Sequence, residues 1–403
     1  MSVLNRRTSP YFLLLLFFAV PLEHVAPGTV LLAAPAILIA SVIIAWAAES
    51  AQFFIAQGFA LAILAWLQTL PEFAVEAVLA WKQQVPLLLA NLTGALRLLT
   101  GFGWPVIYLT AALTKRRRGE GHLNFIQLDK EQCVEVVGLI GPLAYMGVIT
   151  AKGTLSIYDG LVLTAIYVSY LIVLSKMPPE DPDEIHELDT VPRAIVTAPR
   201  FWRIFAISGL FVTGGLLIYF SAEPFLASLL AISTSVGIPA FVFVQWVAPL
   251  VSEFPEMAST FYWARTVEKA PMALMNMVSS NINQWTLLPA MLAVVYAVSV
   301  GEPAPIVFDE HQKLELILTL GQAVIGLLFL INMRLAWWEA LLMLGFFAFP
   351  FANAEFARPI ALLQFAWAGY QMLRMIVARR APEALVHFGE IWREHVRPPK
   401  SVR

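Results

Sequence analysis

Cysteine is nearly missing from this chain: Cys133 stands alone, so no intramolecular disulfide framework can hold the fold together. Histidine is sparse as well. His24, His122, His186, His311, His387 and His395 all fall in expected loops or at the ends of apolar runs, which argues against zinc, haem or iron–sulfur chemistry inside a hydrophobic layer. Charge is scarce, at 13% of residues against about 25% in ordinary soluble domains, and with the high apolar content of the chain a water-soluble fold is not expected. Also lacking are Gly-x-Gly-x-x-Gly, a Walker loop, His-Glu-x-x-His and Gly-x-Ser-x-Gly. Neither ATP-driven work nor familiar hydrolytic chemistry is expected, and an enzyme is not.

What is present is apolar, at 59% of residues. A bilayer core about 30 Å thick takes roughly 20 apolar residues per helical crossing, and stretches of that length recur from Tyr11 to Val377. Breaking the sequence at charged and Pro/Gly-rich points predicts about twelve spans, near residues 10–25, 28–47, 51–81, 86–113, 132–151, 157–176, 201–220, 225–264, 271–299, 313–332, 335–351 and 357–377. The first apolar run is followed by Pro21, Glu23 and His24 without a small-x-small cleavage site, so it is read as a retained helix and not a signal peptide.

Short-loop cations set the orientation. Arg6 and Arg7, Lys115 to Arg118, Lys176 with Arg193, Arg200 and Arg203, Arg265 and Lys269, Arg334, and the tail from Arg379 all fall on one side if the spans alternate. Glu302, Asp309 and Glu310 fall on the other. Both termini are therefore expected in the cytoplasm, with the chain in the cell membrane. The net charge of −2 and the scattered basic loops give no extended basic face, and no nucleic-acid partner is expected.

Residues 177–199, rich in Asp and Glu, form the longest polar connection in the middle of the chain and read as a solvated linker. The expected organisation is an extra helix over 1–25, a first repeat over 26–176, that acidic linker, a second repeat over 200–351, an extra membrane helix over 352–378 and a basic tail over 379–403. In the tail, Leu385, Phe388, Ile391 and Trp392 recur at helical spacing among charged residues, which suits a helix lying on the inner surface.

Two spans are too long. At about 1.5 Å per residue, Ala51 to Trp81 would reach roughly 46 Å, and Phe225 to Ala264 further still, so both are expected to be broken helices. Each carries a proline with carboxylates beside it: Gln68-Thr69-Leu70-Pro71-Glu72 and Ser252-Glu253-Phe254-Pro255-Glu256. Asn91 follows Glu72 by 19 residues and Asn276 follows Glu256 by 20, so the chain contains an internal repeat. The loop charges run the two broken helices in opposite directions, which makes the repeats inverted, as in many secondary transporters. A carboxylate within hydrocarbon costs about 2.5–3.5 kcal/mol, and a mid-helix proline leaves a carbonyl without its donor. A bound cation would relieve both, and hard oxygen ligands of this kind suit Ca²⁺ or, with fewer charges, Na⁺. Asn91 and Asn276 serve equally well as ligands or as interhelical hydrogen-bond contacts.

These residues resemble the cation/calcium antiporters that include sodium/calcium exchangers, whose repeats carry small-x-Pro-Glu on one helix and Gly-Asn-x-x-Gly-Ser-Asn on the next. Thr69-Leu70-Pro71-Glu72 and Glu253-Phe254-Pro255-Glu256 match the first element. Asn276 to Asn281 matches the second well, and Asn91-Leu92-Thr93-Gly94 in part. The resemblance implies an all-α polytopic fold of two inverted five-helix repeats with extra terminal helices. It implies alternating-access exchange of Ca²⁺ or a similar cation against Na⁺ or H⁺, without a cofactor. Glu72 and Glu256 would be the central ligands, with Thr69, Asn91, Asn276, Ser280 and Gln284 as further oxygen positions. The chain departs from the pattern in two places. Ala95, Leu96 and Leu99 replace family ligands in the first repeat, while Glu253 adds a carboxylate in the second.

Arg97 lies deep in the span over 86–113, where an unpaired guanidinium would be expensive. It is expected to pair with Glu76, one turn from Glu72, or with Glu72 itself; the second choice would weaken or remove the cation site. Arg97 and the depleted first repeat also motivate the alternative, a divergent non-transporting scaffold or sensor on the same fold.

Overall fold

A computed structural model describes residues 26–51, 69–177, 188, 190–378 and 381–396. The span predicted over 10–25 lies outside these residues, as does the first half of the broken helix expected from Ala51 to Trp81. In chain order the helices are α1 (Val30–Ala51), α2 (Leu70–Trp81), α3 (Val85–Leu98), α4 (Trp104–Arg117), α5 (Cys133–Gly138), α6 (Ile140–Lys152), α7 (Ile157–Leu174), α8 (Thr190–Val196), α9 (Arg200–Val236), α10 (Ala240–Trp246), α11 (Ala248–Ser252) and α12 (Phe254–Ala264). They continue as α13 (Ala270–Val300), α14 (Glu310–Leu330), α15 (Trp337–Ala352), α16 (Ala357–Ala378) and α17 (Glu383–Ile391). Among the described residues, eight helical stretches are long and apolar enough to cross a membrane, and Ala240–Ser252 and Trp337–Ala352 are shorter apolar ones.

The predicted boundary near residue 220 is corrected. Arg200 to Val236 is one continuous helix with Pro224 inside it, so the spans expected over 201–220 and 225–264 are instead 200–236 and 240–264. Pro224 is buried and tolerated, as prolines in membrane helices are when neighbouring groups take up the freed carbonyl. The chain turns where Gly237 adopts φ +73°, a left-handed conformation that glycine enters without steric cost, and Pro239 starts the next helix. The second broken helix is present in three pieces, α10, α11 and α12, jointed at Val247 and Glu253.

The prolines of the two motifs are also relocated. Pro71 stands in the first turn of α2, not in mid-helix, and its missing N–H is one that the helix start leaves unpaired anyway. Glu72 occupies the same first turn, where the helix dipole favours negative charge, as Glu256 does in α12.

The chain forms two compact units, each drawing on both halves of the sequence: the described residues of Met1–Asn91 with those of Pro179–Pro255, and those of Leu92–Pro178 with Glu256–Arg403. In the first, α1 packs along α9 through Ala40, Ile43, Ile44, Leu217 and Ile218. Lipid tails are as apolar as leucine, so close contact holds such helices together more than exclusion from water does. Gly214 permits it: a Cβ there would lie 2.5 Å from Ile44 Cγ1.

In the second unit α13 packs on α7, with Gly160 against the Ala290 backbone, and α14 packs on α16 through Leu318, Ala357 and Ala361. Between α3 and α4 the helix widens into a π turn, Leu99–Gly103. Two short antiparallel strand pairs, which the all-helical expectation lacked, tie loops together: β1 (Phe125–Gln127) with β4 (Arg334–Ala336), and β2 (Thr154–Leu155) with β3 (Ile306–Val307). The expected tail helix is present as α17. It buries Ala384 and Ile391, and the Ala384 N–H donates to the Ile331 carbonyl.

Candidate functional site

In the first unit the site is built on the start of α2. Glu72 and Glu76 lie one helical turn apart on the same face, and neither has any exposed surface. Asn91, on α3 and equally buried, donates its Nδ2 to Oε1 of Glu72 and, at 3.3 Å, to Oε1 of Glu76. Ser252, the last residue of α11, donates its Oγ to the other oxygen of Glu72. Thr69, buried, caps the start of α2 with its carbonyl accepting from the Phe73 N–H. Glu253 is buried at the end of α11, its N–H bonded to the Pro249 carbonyl.

In the second unit Glu256, fully buried, accepts at Oε1 from Ser280 Oγ on α13 at 3.4 Å. Thr260, a turn further along α12, bonds the Glu256 carbonyl at 2.7 Å. Gln284 is buried one turn beyond Ser280, whereas Asn276 is only half-buried. Asn281 spends its amide on the Met277 carbonyl, and both amide atoms of Asn283 are buried without a hydrogen-bond partner.

Thus the structure brings Glu72 together with Asn91, and Glu256 with Ser280. Ser252 was not anticipated, although it stands next to Glu253 in the quoted motif; a lone serine beside a carboxylate carries no distinctive spacing. The expectation for Arg97 is overturned. Its Nη2 pairs with Glu315 Oε2 on α14 at 2.6 Å, its Nε donates to the Thr93 carbonyl, and Gln322 Nε2 bonds both the Arg97 carbonyl and Thr100 Oγ1. The expected partner, Glu76, faces Asn91 instead. Glu315 had a signal of its own: an acidic residue inside an apolar span is a default functional or pairing candidate.

Long apolar helices, paired Pro-Glu starts and buried carboxylates faced by amide and hydroxyl groups define a multi-pass membrane transporter of the cation-exchanger class, not an enzyme. The chain belongs to the sodium/calcium exchanger protein family, which matches residues 25–176 and 207–351 as its two repeats. The fold is similar to the crystal structure of an H⁺/Ca²⁺ exchanger, CAX, at 29% identity over 96% of each chain with a TM-score of 0.87. It is also similar in fold to the sodium–calcium exchanger NCX_Mj soaked with 10 mM Na⁺ and zero Ca²⁺, at 18% identity over 81% of this chain and 97% of that one, TM-score 0.53. The same exchanger soaked with 2.5 mM Na⁺ and 10 mM Sr²⁺ gives 19% identity and a TM-score of 0.54. No curated protein matches the sequence.

Proposed function

We propose that this protein is a secondary antiporter exchanging Ca²⁺ or a similar cation against Na⁺ or H⁺ by alternating access. Glu72 and Glu256 are the central cation ligands and bind the exchanging ions in competition. Thr69, Asn91, Ser280, Gln284 and Glu253 supply or support further oxygens, and the half-buried Asn276 does so less directly. The repeats are inverted, and helix movement between them exposes the ions to each side in turn. The protein resides in the cell membrane with both termini in the cytoplasm, a reading supported by the cationic loops.

One observation carries the reading: each Pro-Glu glutamate is wholly buried and faced by neutral hydrogen-bonding side chains, Asn91 and Ser252 for Glu72 and Ser280 for Glu256. Neutral donors set the geometry of a carboxylate without neutralising it, and for Glu72 that is the condition a mobile cation satisfies. Arg97 supports it too, since its ion pair with Glu315 removes one of the two grounds for a non-transporting scaffold.

The test is ⁴⁵Ca²⁺ flux in proteoliposomes under an imposed Na⁺ or pH gradient. Gradient-driven uptake is expected; background flux for every cation and both gradients would remove the proposal.

A further inference from the structure

Glu76 lies outside the Pro-Glu motif, and the role first expected for it, neutralising Arg97, is taken by Glu315. What remains is a second carboxylate with no exposed surface, one turn along α2 from Glu72. Its neighbours on the helix, Val75, Leu79 and Ala80, are buried apolar residues, and an apolar side chain would fill the same position at no electrostatic cost.

The surroundings of Glu76 do not meet its charge. Its Oε1 is 3.3 Å from Asn91 Nδ2, long for a charge-assisted hydrogen bond, and that donor is shared with Glu72. Its Oε2 is buried with no hydrogen-bond partner, and so is Oδ1 of Asn91. The nearest cation along the helix, Lys82, pairs with Glu223 at the surface at 2.6 Å. Leaving a buried acceptor unsatisfied costs about 1–3 kcal/mol, and more when it is charged.

We propose that Glu76 is a cation ligand, and that Glu72 and Glu76 together with Asn91 form a two-carboxylate site selective for a divalent cation. This inference rests on the exchanger reading and extends it. Residues four apart on a helix hold their Cβ atoms about 5–6 Å apart, so two carboxylates there can close on one ion with oxygen–metal distances of about 2.3–2.6 Å. Two negative charges on adjacent turns of one helix match a divalent ion, where Glu72 by itself would leave a surplus positive charge in hydrocarbon. Turning the Asn91 amide over would present Oδ1, now without a partner, as a neutral fifth oxygen. Glu76 thereby sets divalent against monovalent preference, while Glu72 remains the central ligand.

The experiment uses full-length protein in proteoliposomes and in detergent, comparing wild type with Glu76→Gln and Glu76→Asp. Equilibrium ⁴⁵Ca²⁺ binding and the half-saturating Ca²⁺ concentration for flux are measured beside Na⁺ competition. Glu76→Gln is expected to weaken Ca²⁺ at least tenfold in both assays while changing Na⁺ competition much less. Glu76→Asp, which retains the charge but shortens the reach, is expected to lose less affinity and to shift the order of Ca²⁺, Sr²⁺ and Ba²⁺. If the Gln variant does not purify as a monodisperse species, the Asp variant decides: an unchanged affinity and ion order overturns the proposal. Normal wild-type flux with Ca²⁺ affinity within twofold in Glu76→Gln likewise overturns the role of Glu76 alone. A wild-type protein that neither binds nor moves any divalent cation overturns the exchanger reading itself.

Discussion

Arg97 and Glu315, 218 positions apart in sequence, meet at 2.6 Å with side chains only 2% and 7% exposed. The pair joins α3 to α14, and Gln322, two turns along α14 from Glu315, adds bonds to the Arg97 carbonyl and to Thr100 within the π turn. Removing one partner of a buried pair strands the other charge, at a cost of about 3–5 kcal/mol. Arg97→Met and Glu315→Leu singly are therefore expected to lower thermal stability in detergent by that order. The double variant is expected to recover most of the loss. A double variant as unstable as the sum of the singles would show that the two residues do not act as a pair.

Glu72→Gln is expected to abolish gradient-driven flux with little loss of folded protein, because glutamine keeps the shape and can still accept from Ser252. Ser252→Ala is the milder lesion. It removes one hydrogen bond to a charged group, worth about 1.5–3 kcal/mol, so the half-saturating Ca²⁺ concentration should shift by roughly tenfold or more. Flux assays on the two variants at several Ca²⁺ concentrations separate loss of turnover from loss of affinity.

How far the sequence carried these conclusions depended on how strongly each residue is constrained locally. Glu72 and Glu256 stood out because a carboxylate in an apolar run is costly and a neighbouring proline marks a break in the helix. Asn91 was legible through its offset, matched by Asn276, yet only Asn91 proved fully buried. The partner of Arg97 was not legible, because choosing among Glu72, Glu76 and Glu315 depends on which helices pack together. Helix α9 was cut too early because Glu223 and Pro224 make a charged, proline-bearing break point in the sequence, whereas a membrane helix tolerates a proline when neighbouring groups take up the freed carbonyl. The strands β2 and β3 are two residues each, too short for alternation to show.

Gly214 should not accept a larger side chain. A Cβ there would fall 2.5 Å from Ile44 Cγ1 and 3.2 Å from the Ala40 carbonyl oxygen, and neither is the far end of a flexible chain. Gly214→Leu is expected to destabilise the α1–α9 contact by about 1–3 kcal/mol, the usual range for overpacking. Gly215, where a Cβ meets nothing within 4 Å, supplies the control: Gly215→Leu should leave stability almost unchanged. Thermal unfolding of the two variants side by side makes the comparison.

The tail helix α17 should be held partly by charge. Lys130 bonds Glu390 at 3.0 Å and lies 3.6 Å from Glu394, and the hydrogen bond and charge of its ammonium group hold the Glu390 carboxyl below the usual carboxylate range. A carboxyl depressed in the docked state stabilises docking above its free value, near pH 4.3, and that contribution is lost as pH falls through the lower docked value. Hydrogen-exchange protection of the α17 amides, corrected for intrinsic rate, is therefore expected to be full near pH 7 and to decline in the acid range. Glu390→Gln should lower protection at neutral pH and flatten the acid dependence. Ala384 and Ile391 stay buried in either case, so docking should weaken without being abolished. If the variant shows the same acid decline as the wild type, the titrating group is not Glu390, and Glu394, 3.6 Å from Lys130, becomes the group to test.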